Sequence, residues 1–161
     1  MAIFVKFPDG TVKGQTQVEG FKDTLEVSSF QFGAGLSVTS GTSNQTRSTS
    51  HPSFSEINVT RVSDSATPQL LQHLASATTM AGDTVITFTR EDNNATLSLI
   101  VIKLTDVILS SVSLSSGGDE PQESISLNYA KITVEYTKQK EEGGKEGVAP
   151  FGWDLSKNVA A

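Results

Sequence analysis

The stretch that most constrains this chain is LSLIVIKLTDVILSSVSLSSGGDEPQESISLNYAKITVEYT, residues 97–137. It reads as three strands in quick succession, with Gly117-Gly118-Asp119-Glu120-Pro121 separating the last two. Leu97, Leu99 and Val101 are apolar, and so are Ile100, Ile102 and Leu104. Both faces of that strand should be covered, as in a central strand or a barrel wall. A break falls near Thr105-Asp106, and residues 107–114 resume the pattern. Ile125 and Leu127 then point one way, whereas Ala130, Ile132, Val134 and Tyr136 point the other. That change of phase at Asn128-Tyr129 predicts a bulge, or an edge shared between two surfaces.

The rest of the chain is largely of the same material. Residues 3–7 predict a strand, Pro8-Asp9-Gly10 a turn and residues 11–14 a short return strand. Residues 25–32 predict a second strong strand, with Leu25 and Val27 on one face and Phe30 and Phe32 on the other, again a phase change. Residues 54–62 return to strand, with Ile57 and Val59 sharing a face with Ser55 and Arg61. Thr67 as cap and Pro68 at the first helical position open one helix, over about residues 67–80. Its stripe is Leu70, Leu71, Leu74, Ala75 and Thr78, narrow enough for the outside of a sheet or barrel, and Gly82 should close it. Residues 84–90 form a further strand, and Glu91-Asp92-Asn93-Asn94 its hairpin turn. The expectation is a single domain over residues 1–161 with about eight strands and one helix: an antiparallel β-barrel or a tight two-sheet sandwich.

Two segments stand apart. Residues 34–53 hold six Ser, four Thr and two Gly but only one charge, Arg47. A connection of that length without periodicity is either floppy or an arm that orders against a partner. Leu36 and Val38 supply it with apolar anchors that disordered linkers lack. Residues 137–147 are charged and rich in glycine, and predict a mobile link. Beyond them Phe151 and the single Trp153 should dock, on their own domain or on a neighbour.

Catalytic chemistry is hard to find. There is no cysteine, so disulfides, thiolate catalysis and cysteine–zinc sites are excluded. His51 precedes Pro52 in the loop, and His73 lies off the helix stripe; both read as surface histidines. Asp119, Glu120 and Glu123 lack the spacing of a calcium loop and read as a solvated hairpin tip. The glycine-rich segments 33–35 and 116–118 feed no phosphate-binding helix. No catalytic residue, cofactor or metal is expected. A net charge of −6 argues against nucleic acid held through its phosphates. No apolar run approaches the ~18 residues of a membrane span, and no membrane insertion is expected. The first residues carry no basic leader, so the chain is expected to be cytoplasmic when made.

Several segments, taken in order, resemble a known family. They are Phe4-Val5-Lys6-Phe7 with Val12-Lys13-Gly14, Asp64-Ser65-Ala66-Thr67-Pro68-Gln69-Leu70, residues 102–113 (IKLTDVILSSVS), residues 123–137 (ESISLNYAKITVEYT), and residues 152–158 (GWDLSKN). Together they resemble Hcp, the haemolysin-coregulated tube protein of bacterial type VI secretion systems. Ser29-Phe30-Gln31-Phe32 stands where the family often carries tryptophan, and the 34–53 loop is unusually rich in Ser and Thr. The resemblance implies a mainly β fold: an antiparallel pseudo-β-barrel of two sheets with one flanking α-helix. It also implies a homohexameric ring that stacks into a tube inside a contractile sheath, capped by a spike protein. That tube would be ejected into target cells, secreted without a cleaved signal peptide and carrying small effector proteins in its lumen. Candidate subunit-interface residues are Leu36, Val38, Arg47, His51, Phe54, Tyr129 and Trp153. The alternatives are a phage-like major tail-tube protein and, from a different class, a monomeric β-sandwich binding module. The few exposed aromatics (Tyr129, Phe151, Trp153) fit sugar stacking poorly.

Overall fold

In a computed structural model, which describes residues 1–40, 47–92, 94–140 and 145–161, the chain forms two sheets that share their longest strand. The strands in chain order are β1 (Ile3–Lys6), β2 (Leu25–Val27), β3 (Ser29–Gln31), β4 (Ala34–Gly35), β5 (Val38–Ser40), β6 (Arg47–Thr49), β7 (Ser53–Phe54) and β8 (Ile57–Val62). After helix α1 (Thr67–Ala75) come β9 (Met80–Asp92), β10 (Ala95–Ser115), β11 (Gln122–Asn128), β12 (Lys131–Gln139), β13 (Lys145–Asp154) and β14 (Val159–Ala160). The first sheet runs β2-β1-β9-β10-β12-β13-β14, and the second runs β10-β11-β8-β3; every pairing is antiparallel.

The phase changes in the sequence are the corners between these sheets. Residues 25–32 are two strands, β2 on the first sheet and β3 on the second, broken at Ser28, whose N–H donates to the Thr60 carbonyl. Strand β10 is continuous where the sequence predicts a break. Asp106 adopts φ 54° and shifts the register with β9 between Thr105 and Val107. Before that bulge β10 pairs with β9 and β12; after it, Val107 still pairs with Met80 of β9 and the strand from Ile108 on pairs with β11. The third corner is Tyr129-Ala130, between β11 and β12, where the Ala130 N–H donates to the Thr105 carbonyl. A residue added at each corner rotates the strand, so an apolar face that served one sheet goes on to serve the other. The two sheets enclose a core built on Val5, Leu25, Ile57, Leu70, Ile86, Leu104, Ile125, Leu127 and Ile132, all essentially inaccessible. The barrel this makes is not closed.

Several local expectations change. Residues 11–14 are not a strand. They follow an irregular path beside Asp23 and Thr24, so close that a Cβ on Gly14 would lie 2.1 Å from the Thr24 carbonyl oxygen. The loop then returns Phe21 to stack on Phe4, 4.6 Å between centroids, burying the back of β1. The helix stops at Ala75, short of Gly82, and Gly82 falls inside β9 with φ 106°. Only Leu70 of its stripe is fully buried; Leu71 faces solvent. Thr67 is the first helical residue, not the cap, and Ala66 occupies the cap position. Glu91 and Asp92, expected in the hairpin turn, instead end β9 opposite Thr96 and Ala95, and Asn94 lies in the left-handed region at φ 67°, as its side chain permits; Asn93 lies outside the described residues.

Candidate assembly surface

The outer face of the second sheet is mostly polar and uncharged, with Val62 and Ile108 as exposed apolar residues at its ends. From β3 come Ser29 and Gln31, from β8 Asn58 and Thr60, from β11 Gln122, Ser124 and Ser126, and from β10 Ser111, Ser113 and Ser115. Their alternation with Phe30, Val59, Ile125 and Leu127 puts the hydroxyls outward because the strand period is two. These outward groups bond to one another. Ser29 Oγ lies 2.5 Å from Thr60 Oγ1, and the Ser126 hydroxyl donates to Asn58 Oδ1. No Lys, Arg, Asp or Glu of these four strands lies on that outer face; Glu56 lies at its margin, accepting from the Ser110 hydroxyl at 2.8 Å. The free edges of this sheet are β3 on one side and the part of β10 beyond Val107 on the other; among the described residues neither edge has a further partner strand.

The 34–53 segment is not irregular. Strand β4 pairs with β7 and β5 with β6, making a projecting hairpin; residues 41–46 lie outside the described residues. Its Ser and Thr residues suit a strand exposed on both faces, where no apolar period can show. Leu36 and Val38 are 50% and 52% exposed, and Arg47 is exposed. At the base, Phe54 stacks between Phe32 (6.3 Å) and Trp153 (6.2 Å). Trp153 therefore docks on its own subunit, within β13. The stretch expected to be a mobile link continues β12 into β13, pairing Thr137 with Val148 and Lys138 with Gly147. Residues 141–144 of that stretch, Glu141 and Glu142 among them, lie outside the described residues.

The remaining candidates join the hairpin base to the C-terminal strands. Asn158 Nδ2 approaches His51 Nδ1 at 2.5 Å. Asn158 itself sits at φ 53°, in the turn that brings β14 back onto Trp153 and Asp154. The Ser156 hydroxyl and the Lys157 N–H both donate to Asp154 Oδ1, and they hold its carboxyl below the usual range. Tyr129 is only 6% exposed, inside its own subunit, where its hydroxyl donates to the Ser55 carbonyl at 2.9 Å. Burial pushes that phenol up to about 12. Leu36, Val38 and Arg47 thus lie on the projecting hairpin and His51 at its base. Phe54, Tyr129 and Trp153 hold that base to the barrel.

One buried cluster escaped the sequence reading. Glu123 is not part of a solvated tip: its side chain is wholly inaccessible, 3.3 Å from Arg61, itself 2% exposed. Arg61 also pairs with Asp64, and the Thr67 hydroxyl donates to the second Glu123 oxygen at 2.9 Å. The signal was present in parity, since Glu123 shares a face with Ile125 and Leu127, and Arg61 with Ile57 and Val59. His73 is likewise half-buried, its Nε2 3.1 Å from the Thr11 carbonyl oxygen.

The fold and its surfaces define a non-membrane-helical β-protein. Its prominent features are a neutral hydroxyl face, two free sheet edges and a projecting hairpin, and its described residues include no cluster able to hold a metal. The family model described as "Type VI secretion system effector, Hcp" matches residues 4–136, and the chain belongs to that family. Protein hcp1 of Pseudomonas aeruginosa PAO1 is 29% identical over 109 residues, covering 66% of this chain and 67% of that protein. A solved type six secretion system protein superposes with TM-score 0.90 at 27% identity, over 99% of both chains. Hcp1 of Salmonella typhimurium shares the fold, with TM-score 0.79 at 23% identity over 99% of this chain and 98% of that one.

Proposed function

We propose that the chain is the structural protomer of a type VI secretion tube. Six copies close into a ring, and the rings stack inside a contractile sheath beneath a spike protein. The observation that carries this reading is the charge-free hydroxyl face bounded by two free edges. Joining β3 of one copy to the distal half of β10 of the next would continue the sheet around a circle, a heterologous contact that closes. Six four-stranded blocks at ~4.8 Å per strand give a circumference of about 115 Å and a bore about 37 Å across between backbones. A compact domain of about 50 residues, with a radius of gyration of about 10 Å and so about 25 Å across, could pass through such a bore once side chains narrow it. A wall of Ser, Thr, Asn and Gln offers cargo many weak, exchangeable hydrogen bonds and no strong ion pair to hold it back. Export inside such a machine needs no cleaved leader.

Light scattering on the purified chain tests the reading. From a 17.1 kDa subunit a closed ring should weigh roughly 103 kDa. A monomer persisting at high concentration would sink it.

A further inference from the structure

We propose that the Arg61–Glu123 pair is a register pin, selecting one pairing of β8 with β11 that the apolar pattern leaves open. Across these strands Ile57, Val59 and Arg61 lie opposite Leu127, Ile125 and Glu123. A slip by one residue would turn the hydroxyls into the core and is excluded by burial alone. A slip by two preserves parity. Apolar side chains would still meet apolar ones inside, and serines would still face Asn58 and Thr60 or their like outside. No turn forbids it, because β8 ends at Val62 and β11 begins at Gln122. The β10–β11 connection is a loose loop containing Gly117, Gly118 and Pro121.

Among the inward-facing side chains of the two strands, the charged pair is what distinguishes the registers. In one slipped pairing Arg61 faces Ile125; in the other Glu123 faces Val59. Either moves Glu123 from directly opposite Arg61 to a diagonal position, stretching the ion pair of a wholly inaccessible carboxylate and leaving Arg61 chiefly to Asp64, which is costlier than a mismatch of alkyl groups. The slip would also break the hydrogen bond from Thr67 to Glu123, which ties the start of α1 to β11. The geometry fits selection rather than maximal stability. The 3.3 Å approach of Arg61 Nη1 to Glu123 Oε1 lacks hydrogen-bond alignment, and Arg61 Nε has no hydrogen-bond partner among the described residues.

The chain contains no cysteine, so disulfide trapping can read the register directly. Asn58→Cys with Ser126→Cys joins opposed residues of the observed register. Asn58→Cys with Ser124→Cys, and Thr60→Cys with Ser126→Cys, would be opposed only after a slip of two. In the observed sheet those diagonal pairs are too far apart to bridge readily. With Arg61 and Glu123 intact, only the first pair should close on oxidation. In Arg61→Met/Glu123→Leu, the slipped pairs should close at least ten-fold above that background, with cooperative unfolding retained. Slipped pairs that stay at background in the folded variant overturn the proposal. If that variant does not fold, the same three pairs are read in Glu123→Gln, which keeps the volume and removes the charge. Slipped pairs rising above background there support the pin, and their absence overturns it. The readout concerns one subunit, so its failure is distinct from a failure to form rings.

Discussion

Tyr129 shows how much a single side chain does at a corner of this fold. Its ring fills the space between β11 and β12, and its hydroxyl satisfies the Ser55 carbonyl beneath the hairpin base. Tyr129→Phe leaves that carbonyl unpaired and should cost about 1–2 kcal/mol in denaturant unfolding. Because burial raises the phenol from 10 to about 12, the unfolded chain gives up its proton first as pH rises. Native stability from this group is complete below pH 10 and is lost between 10 and 12. Urea midpoints measured across that window should fall more steeply for the native chain than for Tyr129→Phe. Gly14 makes a different demand, since the Thr24 carbonyl occupies the place of a side chain. Gly14→Ala should destabilise by about 1–3 kcal/mol, read as a lowered melting temperature. The position of Tyr129 was legible as the point where parity switches. The need for Gly14 was not, because Thr24 approaches it only through the tertiary path of the loop.

At the scale of elements, the sheet-switching corners organise everything else. Asp106 lies in left-handed backbone at the bulge of β10, a conformation that Asp and Gly accept and β-branched residues resist. Asp106→Val should cost about 1–2 kcal/mol, whereas Asp106→Gly should be nearly neutral, by chemical denaturation. Two of the three corners, at Ser28 and at Tyr129-Ala130, were visible as phase changes because burial must alternate on whichever sheet a residue joins; the third, at Asp106, read as a break. The paired strands of the 34–53 hairpin were invisible for the converse reason: Val38, Thr39 and Arg47–Thr49 are all exposed, so no hydrophobic period was written there. That exposure also makes the hairpin separable from folding. Leu36→Glu should shift unfolding by no more than about 0.5 kcal/mol yet abolish rings in light scattering; intact rings would show that the hairpin is no interface element.

For the whole molecule, the central contrast is between a core that holds one subunit and a hydroxyl face that does not contribute to holding it. Ser124→Lys places a charge on that half-exposed face and should leave the melting temperature close to unchanged. If the face lines the bore, rings should still form while retention of an acidic or neutral cargo changes, as co-purification would show; unaltered retention would place the lumen elsewhere. From its alternation of apolar and polar residues alone, the chain was bound to form antiparallel strands with a short helix, because burial at period two leaves few other folds. Its charges and missing thiols likewise narrowed the chemistry. Folding in three dimensions decided which strands face each other, that Glu123 meets Arg61 inside, that Trp153 docks at home, and that serines scattered over four strands form one surface. Those outcomes depend on contacts between residues up to a hundred positions apart, and a local pattern of side chains carries no record of which distant strand will lie alongside.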